Sequence, residues 1–168
     1  MSDKPDVKEL FFEADTRRHQ QFVIEKMMLC VKRLIDKATS HDSSKFSDQE
    51  KPFYINPVWE LNTDYVVYGS EKYKEICKRM GPGFAHHVSH NDHHPEFFES
   101  FAVQTLNDPI RAMDLFAILE MLCDWMAAAK RKGNSPLLAL DALKKKYHID
   151  EQLEAVMRNT VGIIEELK

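Results

Sequence analysis

The sequence predicts an all-α protein, a single helical bundle of about six helices occupying residues 1–168. Three observations carry the all-α expectation. The chain holds only five glycines and seven prolines, with long stretches free of both. Its apolar residues recur every three or four positions instead of alternating. Capping residues and breakers fall where such helices should begin and end. At 168 residues the chain can bury a substantial core as one domain.

The elements follow in order. From about Thr16 to Ala38, Phe22, Val23, Met27, Cys30, Val31, Leu34 and Ile35 mark one buried helix face, and His19 lies on the same inward stripe. The stretch from His41 to Gly69 is polar and aromatic with two prolines, and it predicts a short helix after Ser47 within irregular chain. Its aromatics (Phe53, Tyr54, Trp59, Tyr65, Tyr68) read as core and lid packing, with stacking on a nucleobase as the alternative. Ser70 caps a helix that should stop at Gly81, with Tyr73, Ile76, Cys77 and Met80 inward. A further helix opens the histidine-rich stretch and Pro95 interrupts it. Asp108, Pro109 and Gly133 bound the most apolar helix, which should be central. Two more helices run from Ser135-Pro136 to about Tyr147 and from Asp150 to about Leu167.

Charge narrows the partners. With 23 basic against 27 acidic residues the net charge is −4, which argues against stable binding to nucleic acid or anionic membrane, since both require clustered positive charge. The runs Lys130-Arg131-Lys132 and Lys144-Lys145-Lys146 sit near helix ends, where cations complement the dipole. No apolar signal core opens the sequence and no window is long enough to span a bilayer. Cys30, Cys77 and Cys123 are odd in number and embedded in apolar patterns, so they read as reduced core residues. Together these features predict a cytoplasmic protein, and an apolar face near the C-terminus is compatible with a homodimer.

Five of the nine residues from His86 to His94 are histidine, in a chain that holds eight. Histidine is the commonest side-chain metal ligand and titrates near neutral pH. Asp124 stands among Leu122, Cys123, Trp125 and Met126, where an unpaired carboxylate is costly to bury and calls for a metal, a cation or hydrogen bonds. Glu120 projects from the same side one turn earlier. With His19 and the vicinal His41-Asp42, the order is H…HD…H…H…D. Imidazole and carboxylate together suit transition metals better than Ca²⁺.

This succession resembles the HD-domain metal-dependent phosphohydrolases, and HDSSK is similar to the HDxxK of dinuclear members that cleave cyclic dinucleotides, although their GYP segment is missing. The segments HDSSKF, YGSEKYK, the HH…N.HHPE stretch, EMLCDW and QLEAVMRNT more closely resemble an uncharacterised family of small bacterial and phage proteins. The resemblance implies His19, His41, Asp42 and Asp124 as core metal ligands. Within the cluster His87 and His94, seven apart, are the nominated pair. His86, His90 and His93 form an offset face of comparable quality, His93 can join His94, and His90 is the one expected to face solvent.

The expected cofactor is a divalent transition metal, two ions of Mn, Fe, Zn, Ni or Co, that activates water against a small phosphoester or nucleotide. Lys45 would meet a phosphate oxygen or support the leaving group. Arg131 would contact phosphate, and Glu120 would orient a ligand histidine or accept a proton. Two other classes share the ligand pattern: a mixed-valent di-iron oxygenase of the HD type, and a non-catalytic factor that binds a metal or nucleotide.

Overall fold

A computed structural model of the chain describes residues 6–67, 69–99, 108–131 and 133–167. The protein is all-α. Among the described residues there are six α-helices and no strand: α1 (Val7–Ser40), α2 (Lys51–Thr63), α3 (Glu71–His90), α4 (Leu115–Arg131), α5 (Pro136–Tyr147) and α6 (Glu151–Glu166). Short 3₁₀ turns lie at Ser43–Phe46, Pro95–Phe98 and Pro109–Ala112. The chain divides into two compact units, one ending at Ser40 and one beginning at His41. Tyr68 and Lys132, both noted in the sequence, lie outside the described residues. No helix among the described residues is long and apolar enough to cross a membrane.

The first unit is α1 alone. The sequence predicts its apolar stripe to be buried, but Phe22, Val23, Met27, Val31 and Ile35 are exposed, and so are His19 and Cys30. A helix hides a stripe only against another element, and the described residues of this unit supply none.

The second unit carries the core. Ala117, Met121, Leu122 and Met126 on α4 pack with Leu140 of α5, with Met157 and Val161 of α6, and with Ile110, Met113 and Ile149 from the connections. Full burial of each large apolar side chain contributes about 1.5–3 kcal/mol. Ser135 Oγ accepts from the Leu137 amide and Asp150 Oδ1 from the Leu153 amide, so α5 and α6 begin where their caps predict. The start of α4 is shifted. Asp108 and Pro109 lead into a 3₁₀ turn, and Asp114 caps the helix by accepting from the Ala117 amide at 2.8 Å. Of the cysteines, Cys123 is also exposed and Cys77 half-buried, so none is the fully buried core residue expected. Trp59 and Tyr65 are exposed rather than packed, and Tyr54 is half-buried.

The larger departure is α3, which does not stop at Gly81 but runs on through Pro82 and Gly83 to His90. Gly81 lacks the Cβ that would clash with the following proline ring, so the helical conformation survives there. Gly83 serves packing. A Cβ on it would lie 2.7 Å from Phe53 Cβ and 3.3 Å from the Glu50 carbonyl oxygen. Its bare backbone lets the start of α2 lie directly against α3, which brings Glu50 beneath the histidines. Helix interiors ordinarily gain from Gly→Ala, but the contact reverses the sign here. Gly83→Ala should destabilise the protein by about 1–3 kcal/mol, whereas Gly162→Ala on α6, where a Cβ meets nothing within 4 Å, should stabilise it by about 0.5–1 kcal/mol. Chemical denaturation of the two variants checks the opposite signs.

Candidate metal centre

His41 and Asp42 open the second unit. Asp42 adopts the left-handed region (φ 57°), which aspartate tolerates better than most residues, and its carbonyl accepts from the Lys45 amide at 3.0 Å. The last turns of α3 carry His86, His87 and His90. Asn91 then closes the helix: its Nδ2 donates to the His87 carbonyl at 2.8 Å and to Ser44 Oγ at 2.9 Å. The chain folds back so that the His93 and His94 rings stand 5.7 and 4.9 Å from the His87 ring. Glu120 and Asp124 arrive on one face of α4.

Two carboxylates fix the imidazoles. Glu50, fully buried, faces His87 Nδ1 at 3.0 Å with one oxygen and His86 Nδ1 at 2.9 Å with the other. Glu120 Oε1 lies 2.9 Å from His41 Nδ1 and 3.3 Å from His93 Nδ1. Burial works against the ionisation of Glu50, yet His86, Ser44 and His87 hold its carboxyl below the usual range. An ionised carboxylate can only accept, so the Nδ1 atoms carry protons, and a ring that is otherwise neutral, such as His87 or His93, keeps a lone pair on Nε2. Burial pushes His94 down to about 4 and lowers His93 as well, which keeps both rings neutral.

Those lone pairs converge on Asp42. Its Oδ1 lies 3.0 Å from His87 Nε2 and 3.6 Å from His93 Nε2, and all three atoms are buried without a hydrogen-bond partner. Short separation without hydrogen-bond alignment leaves electron-rich atoms facing one another, which is costly in a buried place. Two ligands about 2.0–2.2 Å from a shared ion stand about 3.0–3.4 Å apart, so the observed spacing fits a common cation. The potential ligands fall into two overlapping groups, His41 with Asp42 and His93, and His87 with His93 and His94, each with ligand atoms within 4.8 Å of one another. Burial opposes ionisation of Asp42, but the Lys45 ammonium and the protonated His41 ring hold its carboxyl far below the ordinary range. His41 is pushed up to about 9, chiefly by Asp124, against the opposing effect of burial and with help from Glu120. Its Nε2 stands 3.7 Å from both Asp124 Oδ1 and Asp42 Oδ2.

Beside this cluster opens a cavity of about 660 Å³. Asp42, Lys45 and Arg131 contribute its charges, Tyr54 and Tyr73 its phenols, and Val58, Leu61 and Met80 part of its apolar wall. Lys45 Nζ pairs with Asp42 Oδ2 at 2.5 Å. Thus His41, Asp42, His87, His94 and Asp124 lie together as the sequence suggests, with Glu120 orienting two of the rings and Lys45 and Arg131 at the cavity. His19 belongs to neither ligand group; it is exposed on α1, in the unit described separately. His93 is more central than its sequence register implies, because the helix ends at His90 and a turn, not a helical face, sets its direction. Glu50 is not among the residues that the sequence pattern singles out. Only its spacing to Gly83, legible once α2 and α3 are known to touch, marks it out.

The fold and cluster define a class: an all-α protein whose second unit gathers imidazoles and carboxylates that could hold a transition metal. The chain belongs to a family of unknown function, DUF5662, whose model matches residues 8–163. No curated protein and no solved structure matches it significantly.

Two outcomes follow for metal affinity, both measurable by calorimetric titration of untagged protein. Replacing the orienting carboxylates, Glu50→Gln or Glu120→Gln, should weaken affinity about 10–100-fold without unfolding the protein. A ligand nitrogen must be unprotonated, and His41 holds its proton up to about pH 9. Affinity should therefore rise about tenfold per pH unit below that value, for one proton released. Affinity independent of pH across the neutral range would exclude His41 as a ligand.

Proposed function

We propose that the protein is a divalent-metal-dependent phosphohydrolase acting on a small phosphoester such as a nucleotide. The observation that carries this reading is the set of three buried, unpartnered atoms, Asp42 Oδ1, His87 Nε2 and His93 Nε2, beside a cavity that Asp42 lines together with Lys45 and Arg131. The metal could be held by His41, Asp42 and His93, with His87, His94 and Asp124 completing or extending the set. A divalent ion there supplies Lewis acidity toward a phosphoryl group and makes hydroxide available near neutral pH.

The remaining roles belong to the chain. Glu50 and Glu120 hold the Nδ1 protons, so the imidazoles cannot turn away. Lys45 Nζ and the Arg131 guanidinium offer positive charge to phosphoryl oxygens in the cavity. Tyr54 is pushed up to about 12 by burial and by the nearby Glu50 and Asp42 carboxylates, so its hydroxyl stays protonated. That hydroxyl is buried with no hydrogen-bond partner, and it is a further donor for a bound oxyanion. Lys45, already beside Asp42, is also placed to stabilise the leaving oxygen. The apolar wall receives the organic part of the ester. The phosphate-binding charges favour hydrolysis over oxygen chemistry.

A phosphoester panel, run with each of Mn, Fe, Zn, Ni and Co under air and without oxygen, tests the reading. Turnover should require metal and not oxygen. Lys45→Ala should retain the metal and lose roughly 10²-fold in kcat. Wild-type hydrolysis by that variant would remove Lys45 from the mechanism, and oxygen consumption without phosphate release would replace the reading altogether.

A further inference from the structure

Two histidines of the cluster stand outside the centre just described. His86 and His90 are four residues apart near the end of α3, so their side chains lie one above the other on a single face. Their rings stack nearly parallel, with centroids 3.9 Å apart and planes 9° from coincidence. His86 Nδ1 donates to Glu50 Oε1 at 2.9 Å. His90 Nδ1 lies 2.8 Å from the His86 carbonyl oxygen, an atom that only accepts, and 3.0 Å from Ser89 Oγ. Both rings therefore carry the proton on Nδ1 and, when neutral, a lone pair on Nε2.

Among the described residues neither Nε2 meets a protein partner. The His86 side chain is 32% exposed and His90 is exposed outright, so both rings are open to water. Two histidines one turn apart on a helix can direct both Nε2 atoms at one ion once their rings tilt out of parallel, which rotation about χ2, a broad torsion in histidine, allows. Two preoriented imidazoles bind far better than one, because the second contact is made without a further loss of freedom.

We propose that His86 and His90 form a second, solvent-open site for a borderline transition-metal cation such as Cu²⁺, Ni²⁺ or Zn²⁺, with water completing the coordination. Glu50, shared between His86 and His87, is the only side chain linking it to the buried cluster among the contacts described. The proposal stands apart from the hydrolase reading, since it needs only the exposed pair.

Retention of untagged protein on immobilised Ni²⁺ tests this pair: His87 and His93 are 1% and 2% exposed and cannot reach a tethered ion, and the other exposed histidines, His19 and His148, are removed singly as controls. Wild type should be retained. His90→Ala should weaken Ni²⁺ affinity by roughly 10²-fold, His90→Gln should do the same, and His19→Ala and His148→Ala should each leave retention unchanged. Calorimetry should still find the buried cluster able to bind one equivalent of metal in His90→Ala. Wild type passing through unretained, or either His90 variant retained as strongly as wild type, overturns the proposal. Loss of the buried metal along with surface retention would overturn the separateness of the two sites.

Discussion

The sharing of imidazole protons by two carboxylates, Glu50 buried and Glu120 half-buried, is the constraint on which the rest of the second unit depends. Glu50 grips His86 and His87, while Glu120 grips His41 and His93. Each contact fixes a ring's orientation and its tautomer at once, so the free nitrogens are aimed before any ligand arrives. Remove that constraint and the histidines become a polar turn. With it, two imidazole nitrogens are held against Asp42 Oδ1 at a cost that a cation relieves.

The helices can be understood as the means of delivering those carboxylates. Glu50 reaches its position because α2 begins directly against the bare backbone of Gly83. Glu120 and Asp124 are delivered by α4, whose other face is anchored in the methionine-rich core with α5 and α6. The turn after His90 supplies the last component, and it is tied down on both sides. Asn91 binds back to His87 and Ser44, and Glu96 accepts from Tyr147 at 2.9 Å and from Lys146 at 3.0 Å on α5. In the absence of a metal, the raised affinity of His41 for its proton partly balances three neighbouring carboxylates, Asp124, Glu120 and Asp42. Proton and metal therefore compete for one cluster.

Much of this was legible in the sequence, and for identifiable reasons. The caps of α5 and α6 are local signals, and local hydrogen bonds honoured them. His41-Asp42, Asp124 and Glu120 stood out because polar groups in apolar helical patterns demand partners. The Gly81-Pro82-Gly83 segment misled because glycine marks both helix ends and close packing, and only the contact with Phe53 distinguishes them. His93 was undervalued for a related reason: helical periodicity cannot report the direction of a side chain in a turn. Glu50 sits in an unremarkable polar stretch, and its role arises from a partner 37 residues away. The exposed stripe of α1 shows the limit of periodicity, which identifies an apolar face without saying what covers it.

The central claim is that these preoriented nitrogens bind a metal directly. X-ray absorption on untagged protein loaded with one equivalent of zinc and then desalted tests it most directly. The account predicts that zinc is retained, with at least two imidazole nitrogens at about 2.0–2.1 Å. Loss of the zinc on desalting, or a shell of oxygen ligands alone, would contradict it.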